Sequence, residues 1–300
     1  MPISFGISSI CLLHILDQQL QGRREQGRHA GYSLHVLFVD QSAVLGQAFP
    51  RESRDLLMKR YSLHAYTTIL LEDYANYETG AEVSESDTSK QLKDILCSLS
   101  SATSRTDFID ITRRRLITSF AERHRCDSIL FGDSTTRLAE RTLSETAKGR
   151  GIALPWLTAD GHSSGLNCTY PLRDLLRKEL MSYANIASPP LTSLISEPPP
   201  QVFGTSLRDS TIDGLMNQYF ESVEKDYPSI VANVVRTSGK LVPPTIPKGI
   251  EICSLCGHPI IHETWGGEQG SVAFPEVEHG NESGKDQPLC YGCTRTTFKK

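Results

Sequence analysis

The sequence of 300 residues contains no run of about eighteen consecutive apolar residues, so it offers no transmembrane helix and no membrane role is read from it. Its opening, MPISFGISSICLLHIL, lacks both the basic flank and the small-residue cleavage site of a secretory signal. A large positive excess is missing too. The 31 basic residues face 35 acidic ones, a formal net charge of −4, whereas a protein that grips RNA alone by phosphate attraction is usually basic. Any nucleic-acid role must therefore rest on a local patch or on a partner. Hydrophobic residues at 38% and charged residues at 22% suit a chain that buries a real core, as one large domain or a medium domain with an appendage. Eight cysteines are present, four of them in two C-x-x-C pairs near the end. In an unsecreted chain that pattern points to metal rather than to disulfides.

Short apolar runs alternate with helical patterns. Leu34–Val39 (LHVLFV), Thr67–Leu71 (TTILL) and Ser128–Phe131 (SILF) read as buried strands. Ile10–Leu20, Arg51–Arg60, Lys90–Ser98 and Ile111–Glu122 read as helices. This alternation predicts a doubly wound, mostly parallel α/β sheet whose ligand loops lie at the carboxyl ends of the strands. Loops starting at Ser4, Asp40 and Gly132 would line that edge. Only Met1-Pro2-Ile3 precede the Ser4 loop to build a first strand. Either that strand is vestigial or the sequence lacks its natural N-terminus, and the second is the expectation. Proline-rich stretches at Ser188–Gln201 and Val242–Gly249 read as linkers around a helix over Ile212–Val235. The expected division is an α/β domain over 1–187, linkers with a helical segment over 188–249, and a cysteine-bearing region over 250–300.

Ser4-Phe5-Gly6-Ile7-Ser8-Ser9, entering the helical pattern CLLHIL, has the layout of a strand–loop–helix anion site. The same residues fit an ordinary serine-capped helix start. The segment resembles a degraded SGGxDS pyrophosphate loop of the ATP-dependent enzymes that adenylate and thiolate tRNA. Ser4, Gly6 and Ser9 match it, while Phe5 stands for the second-position glycine and Ser8 for the aspartate. By that resemblance Ser4, Gly6, Ser8 and Ser9 are the nucleotide-contacting positions. The phenylalanine would obstruct a phosphate, and the lost carboxylate removes a holder of Mg²⁺. ATP turnover by this chain is not expected.

FGDSTTRLAERTLSETAKGRG (131–151) and YPLRDLLRKELMSYAN (170–185) together resemble the cytoplasmic tRNA 2-thiolation protein 2 family. LHVLFVDQSAVLGQ (34–47) and the terminal CSLCG and LCYGC fit it as well, so the resemblance covers most of the chain. On residues alone, Asp133 or Ser134 is a good helix N-cap and Lys148-Gly149 a good end. Ala139, Leu143 and Ala147 should face the core, with Arg137, Arg141, Ser144 and Lys148 on the opposite stripe. Arg137, Arg141, Lys148 and Arg150 are the candidates to track an RNA backbone; the other reading is a solvated face with an Arg141–Glu145 pair. Arg173, Arg177 and Lys178 carry the same two readings.

Catalytic relatives carry a C-x-x-C pair before the helix that precedes the Gly-Asp strand, and a third cysteine after the PLK-like helix. Here the first place reads SATSRTD (101–107), and no cysteine lies between Cys168 and Cys253. Serine does not replace a thiolate in sulfur carriage or cluster ligation. Cys97, Cys126 and Cys168 are read as buried and structural.

Cys253 and Cys256 are separated from Cys290 and Cys293 by 33 residues, including Gly266, Gly267, Gly270, Gly280 and Gly284. Four thiolates so paired suit a structural Zn²⁺ in a small knuckle, with a disulfide or free thiols as the alternatives. His258, His262 and His279 could substitute as ligands but are read as surface residues. The family resemblance implies a pyrophosphate-loop fold of the adenine nucleotide alpha hydrolase-like type. It further implies a cytoplasmic, non-catalytic heterodimer partner of a catalytic thiolase subunit, which itself uses the ATP. The complex would take sulfur from a thiocarboxylated ubiquitin-like carrier to the wobble uridine of tRNAs for Lys, Glu and Gln, and is linked to conjugation of that carrier to proteins. Two rivals remain: a self-sufficient ATP-dependent tRNA-modifying ligase or sulfurtransferase, and a zinc-dependent interaction module unrelated to tRNA.

Overall fold

The run HVLFVD is apolar enough to be covered on both faces, and it forms the middle strand of the N-terminal sheet. The computed structural model describes residues 1–29, 31–79, 85–163, 165–196, 210–244, 249–260 and 288–297. Strand β1 (Pro2–Ile3) leads into α1 (Ile7–Glu25), then β2 (His35–Asp40), α2 (Ser42–Leu45), α3 (Arg51–Arg60) and β3 (Ala65–Leu70). Next come α4 (Tyr74–Thr79), α5 (Glu85–Ser98), α6 (Ala102–Arg123), β4 (Ser128–Leu130), α7 (Thr135–Ala147) and α8 (Leu154–Thr158). The order closes with β5 (Gly161–Ser163), β6 (Leu166–Thr169), α9 (Arg177–Ile186), α10 (Ile212–Asp226), α11 (Pro228–Ser238) and α12 (Tyr291–Thr297).

Strands β1, β2 and β3 pair in parallel, with Pro2 against Leu37 and Ile3 against Phe38. Met1 extends the ladder: its carbonyl accepts the Leu37 N–H at 2.9 Å. A second sheet has the order β4-β6-β5, parallel between β4 and β6 and antiparallel between β6 and β5. The single doubly wound sheet expected from the sequence is thus, among the described residues, two three-stranded sheets. β1 and β4 have only two and three residues, too few to carry a continuous ladder between them. The sheets meet instead where Gly132 lies against Ser9: a Cβ on Gly132 would stand 2.7 Å from the Ser9 Cα.

The helix expected over Ile212–Val235 is two helices. Tyr227 leaves helical geometry at φ −132° and ψ 58°, and Pro228 opens α11. Proline disfavours helical backbone in the residue before it and suits the first helical turn, so the break was written in the sequence. The segment packs against the α/β body. Phe220, Val231 and Val235 share a buried cluster with Leu116, Phe120, Leu138 and Tyr170 of the α/β body. A second cluster joins Ile10 and Leu13 of α1 to Phe38, Leu57 and Leu180. In α7, Leu138, Ala139 and Thr142 are buried whereas Ala147, expected in the core, is exposed. Among the described residues no helix is long and apolar enough to cross a membrane.

Candidate functional site: a cysteine knuckle beside an arginine-lined cleft

An open cleft of about 1770 Å³ runs along the strand ends, and the loops at Ser4, Asp40 and Gly132 all line it. Phe5 adopts φ +58°, the left-handed conformation that favours glycine and that costs an ordinary side chain roughly 1–2 kcal/mol. Its burial offsets that strain. The ring is 4% exposed, stacks on Phe38 at 5.3 Å and meets Phe49 edge-on at 5.7 Å. The ring expected to obstruct the loop is therefore drawn into the core. The loop closes on itself: the Ser9 hydroxyl donates to the Gly6 carbonyl at 2.9 Å, and the Gly6 N–H donates to Ser4 Oγ at 3.4 Å. Ser8, half-buried, brings no carboxylate. Phe5→Gly should relieve the strain yet lose the ring contacts, for a net destabilisation of about 2–3 kcal/mol in urea unfolding. ATP binding, followed by calorimetry, should stay absent; its return would mean that Phe5 alone closes the site.

Ser134 caps α7 by accepting the Arg137 N–H at 3.3 Å. Arg137, whose side chain is 41% exposed, pairs with the buried Glu140 at 2.8 Å. Arg141 bonds Asp133 at 2.6 Å rather than the expected Glu145. Burial pushes the Asp133 carboxyl up, but Arg141, Arg137 and Arg114 outweigh it and hold it below the ordinary range. Lys148 and Arg150 are not on a solvated stripe at all; their side chains are 5% and 3% exposed. The turn that carries them is covered by α12. Gly149, at φ +85°, lies so close to Tyr291 that a Cβ there would stand 2.8 Å from its ring.

Under that cover lies an ion-pair hub that local sequence patterns did not reveal. Lys148 Nζ is 2.9 Å from Asp107, 2.8 Å from Glu145 and 3.1 Å from Asp213. Arg150 grips Asp107 with both guanidinium arms, one at 2.8 Å, and holds Glu145 at 2.6 Å. Burial pushes the Glu145 carboxyl up, yet Arg150 and Lys148 bring it down from 4.5 to about 2. The two runs that carry the family resemblance are also stitched together. Thr135 Oγ1 donates to the Arg173 carbonyl at 2.7 Å, and Thr136 Oγ1 accepts the Arg177 N–H at 3.0 Å. Glu224 of α10 accepts from Thr136 at 2.7 Å and from the Lys178 N–H at 2.8 Å.

The C-terminal cysteines converge. All four Sγ atoms, of Cys253, Cys256, Cys290 and Cys293, lie within 4.8 Å of one another. Cys256 and Cys290 are 3.8 Å apart, matching the edge of about 3.8 Å that a tetrahedron of zinc–sulfur bonds requires. The first pair is held by a tight turn: the Gly257 N–H donates to the Cys253 carbonyl, and Gly257 sits at φ +73°. The donor set is all sulfur and fits a single thiophilic ion. His258 is not a surface residue; both ring nitrogens are shut off from solvent without a hydrogen bond, and burial lowers its imidazole to about 4. His262 and His279 lie outside the described residues. Cys168 is buried as expected, Cys126 half-buried, and Cys97 exposed, so the structural reading of Cys97 fails.

The fold defines the class. It is shared with the solved U34-tRNA thiolase NcsA from Methanococcus maripaludis, a structure with a [4Fe-4S] cluster. The TM-score is 0.58 at 16% identity, covering 86% of this chain and 76% of that one. The body is therefore an α/β unit with parallel strands that shares this fold. A family model for cytoplasmic tRNA 2-thiolation protein 2 matches residues 211–295. The protein of that description from Phaeosphaeria nodorum is 44% identical over 316 residues, 99% of this chain and 80% of the relative. Its counterpart in Pyrenophora tritici-repentis is 40% identical over 318 residues, 99% of this chain and 81% of the relative. The chain belongs to the cytoplasmic tRNA 2-thiolation protein 2 family.

Proposed function

We propose that this chain works in cytoplasmic tRNA 2-thiolation as the non-catalytic half of a heterodimer with a catalytic thiolase subunit. One observation carries the reading: a thiolase-like fold in which the nucleotide loop is bonded to itself and lacks its acidic group. The cysteine-free stretch 101–107 points the same way, since sulfur transfer needs thiolates. ATP is then consumed by the partner. The partner would pass sulfur from a thiocarboxylated ubiquitin-like carrier to the wobble uridine of tRNAs for Lys, Glu and Gln. Conjugation of that carrier to proteins belongs to the same reading. Contact with tRNA on the α7 face falls to Arg137 and Arg141, because Lys148 and Arg150 are sealed inside.

Cys253, Cys256, Cys290 and Cys293 would hold Zn²⁺ as a structural ion, whose chemistry is to fasten two chain segments. The sulfurs stand within 4.8 Å of one another, closer than four thiolates bound to the outside of a [4Fe-4S] cube, whose bulky core holds them apart. Co-purification with the thiolase subunit, then thiolation of tRNA by each protein alone and by both, tests the proposal. Thiolation is expected only from the pair. Full-rate thiolation by the partner alone would remove this chain's role.

A further inference from the structure

The hub at the end of α7 is costly in solvation terms. Asp107, Lys148 and Arg150 are 1%, 7% and 3% exposed, and attraction between ions only partly offsets the loss of their water. The best-attested use of such a group is to fix the register of packed elements. The element registered here is α12, the helix that carries Cys293. Thr296 in α12 donates its hydroxyl to Asp107 Oδ2 at 2.6 Å, the same carboxylate that Arg150 clasps. Gly292 makes the approach possible, since a Cβ there would collide with Arg150 Cγ and stand 3.2 Å from the Lys148 carbonyl oxygen.

Helix α6 holds the other half of the knuckle as well. Arg115 donates to the carbonyls of Ser254 and Leu255, inside the first cysteine turn, the latter at 3.0 Å. Between the two contacts, Ile111 packs against the cysteine cluster. Asp107, Ile111 and Arg115 follow one another at steps of about one helical turn, so they form a single stripe on one face of α6.

We infer that this stripe is the template that assembles the metal site, with Asp107 and Arg115 as positioning residues. Neither is a ligand. Arg115 places the Cys253–Cys256 turn, and Asp107 places the helix bearing Cys293, so the two pairs meet at ligand distance. The inference rests on the zinc reading above. The coupling runs both ways: emptying the site loosens the Lys148–Arg150 turn beside the cleft.

The test uses the full chain, stripped of metal by a chelator and titrated with Zn²⁺ against a chromophoric competitor. Residues supporting a metal site without touching the ion typically change its affinity 10- to 100-fold. Asp107→Asn and Arg115→Gln should therefore weaken zinc binding by about tenfold or more. Thr296→Val, which removes one hydroxyl at nearly constant volume, should give a smaller loss and keeps the test open if Asp107→Asn fails to fold. Metal removal from the unaltered chain should raise amide hydrogen exchange over 107–115 and 148–150. Arg123→Gln is the control, because Arg123 on the same helix bonds the Asn76 and Tyr77 carbonyls instead; its zinc affinity should not move. Unchanged affinity in Arg115→Gln and Thr296→Val, or an equal loss in Arg123→Gln, would overturn the assignment. If the unaltered chain binds no Zn²⁺, the zinc reading itself fails and takes the template with it.

Discussion

Cys293→Ser will leave the full chain without zinc and will unfold the knuckle. The residue is fully buried among the other thiols, and a serine hydroxyl is no substitute for a thiolate ligand. Binding of a structural zinc ion amounts to about 10–16 kcal/mol in small metal-dependent modules near neutral pH. No other contact between 250–260 and 288–297 approaches that. The Ser254 N–H bond to the Pro288 carbonyl at 2.9 Å is a single interaction, worth only about 1 kcal/mol net. Elemental analysis should find one zinc per unaltered chain and next to none in the variant. The body should stay folded, because the core of Ile10, Leu13 and Phe38 is separate from the knuckle. Stoichiometric zinc in Cys293→Ser would contradict the four-thiolate assignment.

Arg150→Met should cost about 3 kcal/mol of stability, because removing one partner strands buried charges. Asp107, Glu145 and Asp213 would then share Lys148 alone. For a chain of this size that is a fall in melting temperature of roughly 6–12 °C. Arg150→Lys should lose less, since it keeps the charge but not the fork that clasps Asp107. The effect carries a pH signature. Glu145 titrates at about 2 when folded against an ordinary 4.5. A lowered carboxylate adds stability above its unfolded value and loses it as pH falls through the folded one. The gap between the unaltered chain and Arg150→Met should be full at pH 7 and shrink between about pH 4.5 and pH 2. A gap under about 1 kcal/mol at pH 7 would place the pair among ordinary surface ion pairs.

The strand at His35–Asp40 was legible because a buried parallel strand is apolar without interruption. Ala65–Leu70 and Ser128–Leu130 are strands too, but only Ile69 and Ile129 of them are buried, so they are not the fully buried strands expected. Ser134 as the α7 cap and the paired cysteines were legible for a similar reason: each signal is local. What escaped was non-local. Lys148 and Arg150 look like the solvated end of a helix until Asp107 and Asp213 arrive from 41 and 65 residues away in the chain, counted from Lys148. Glu224 was missed likewise, since its partners Thr136 and Lys178 lie on two other elements. The break at Tyr227-Pro228 is a different case. Its signal was present, and apolar periodicity on both sides concealed it. Phe5 was read as a side chain obstructing the loop; the structure instead shows its ring buried against Phe38 rather than standing over the loop.

Whether this scaffold has chemistry of its own is tested most directly by ATP–pyrophosphate exchange with the isolated, zinc-loaded chain, Mg²⁺ and substrate tRNA. No exchange above background is expected, because Ser8 offers no carboxylate and the amide of Gly6 is already bonded within the loop. Sustained tRNA-dependent exchange by this chain alone, abolished by a substitution at Ser4 or Gly6, would show that the nucleotide loop still works.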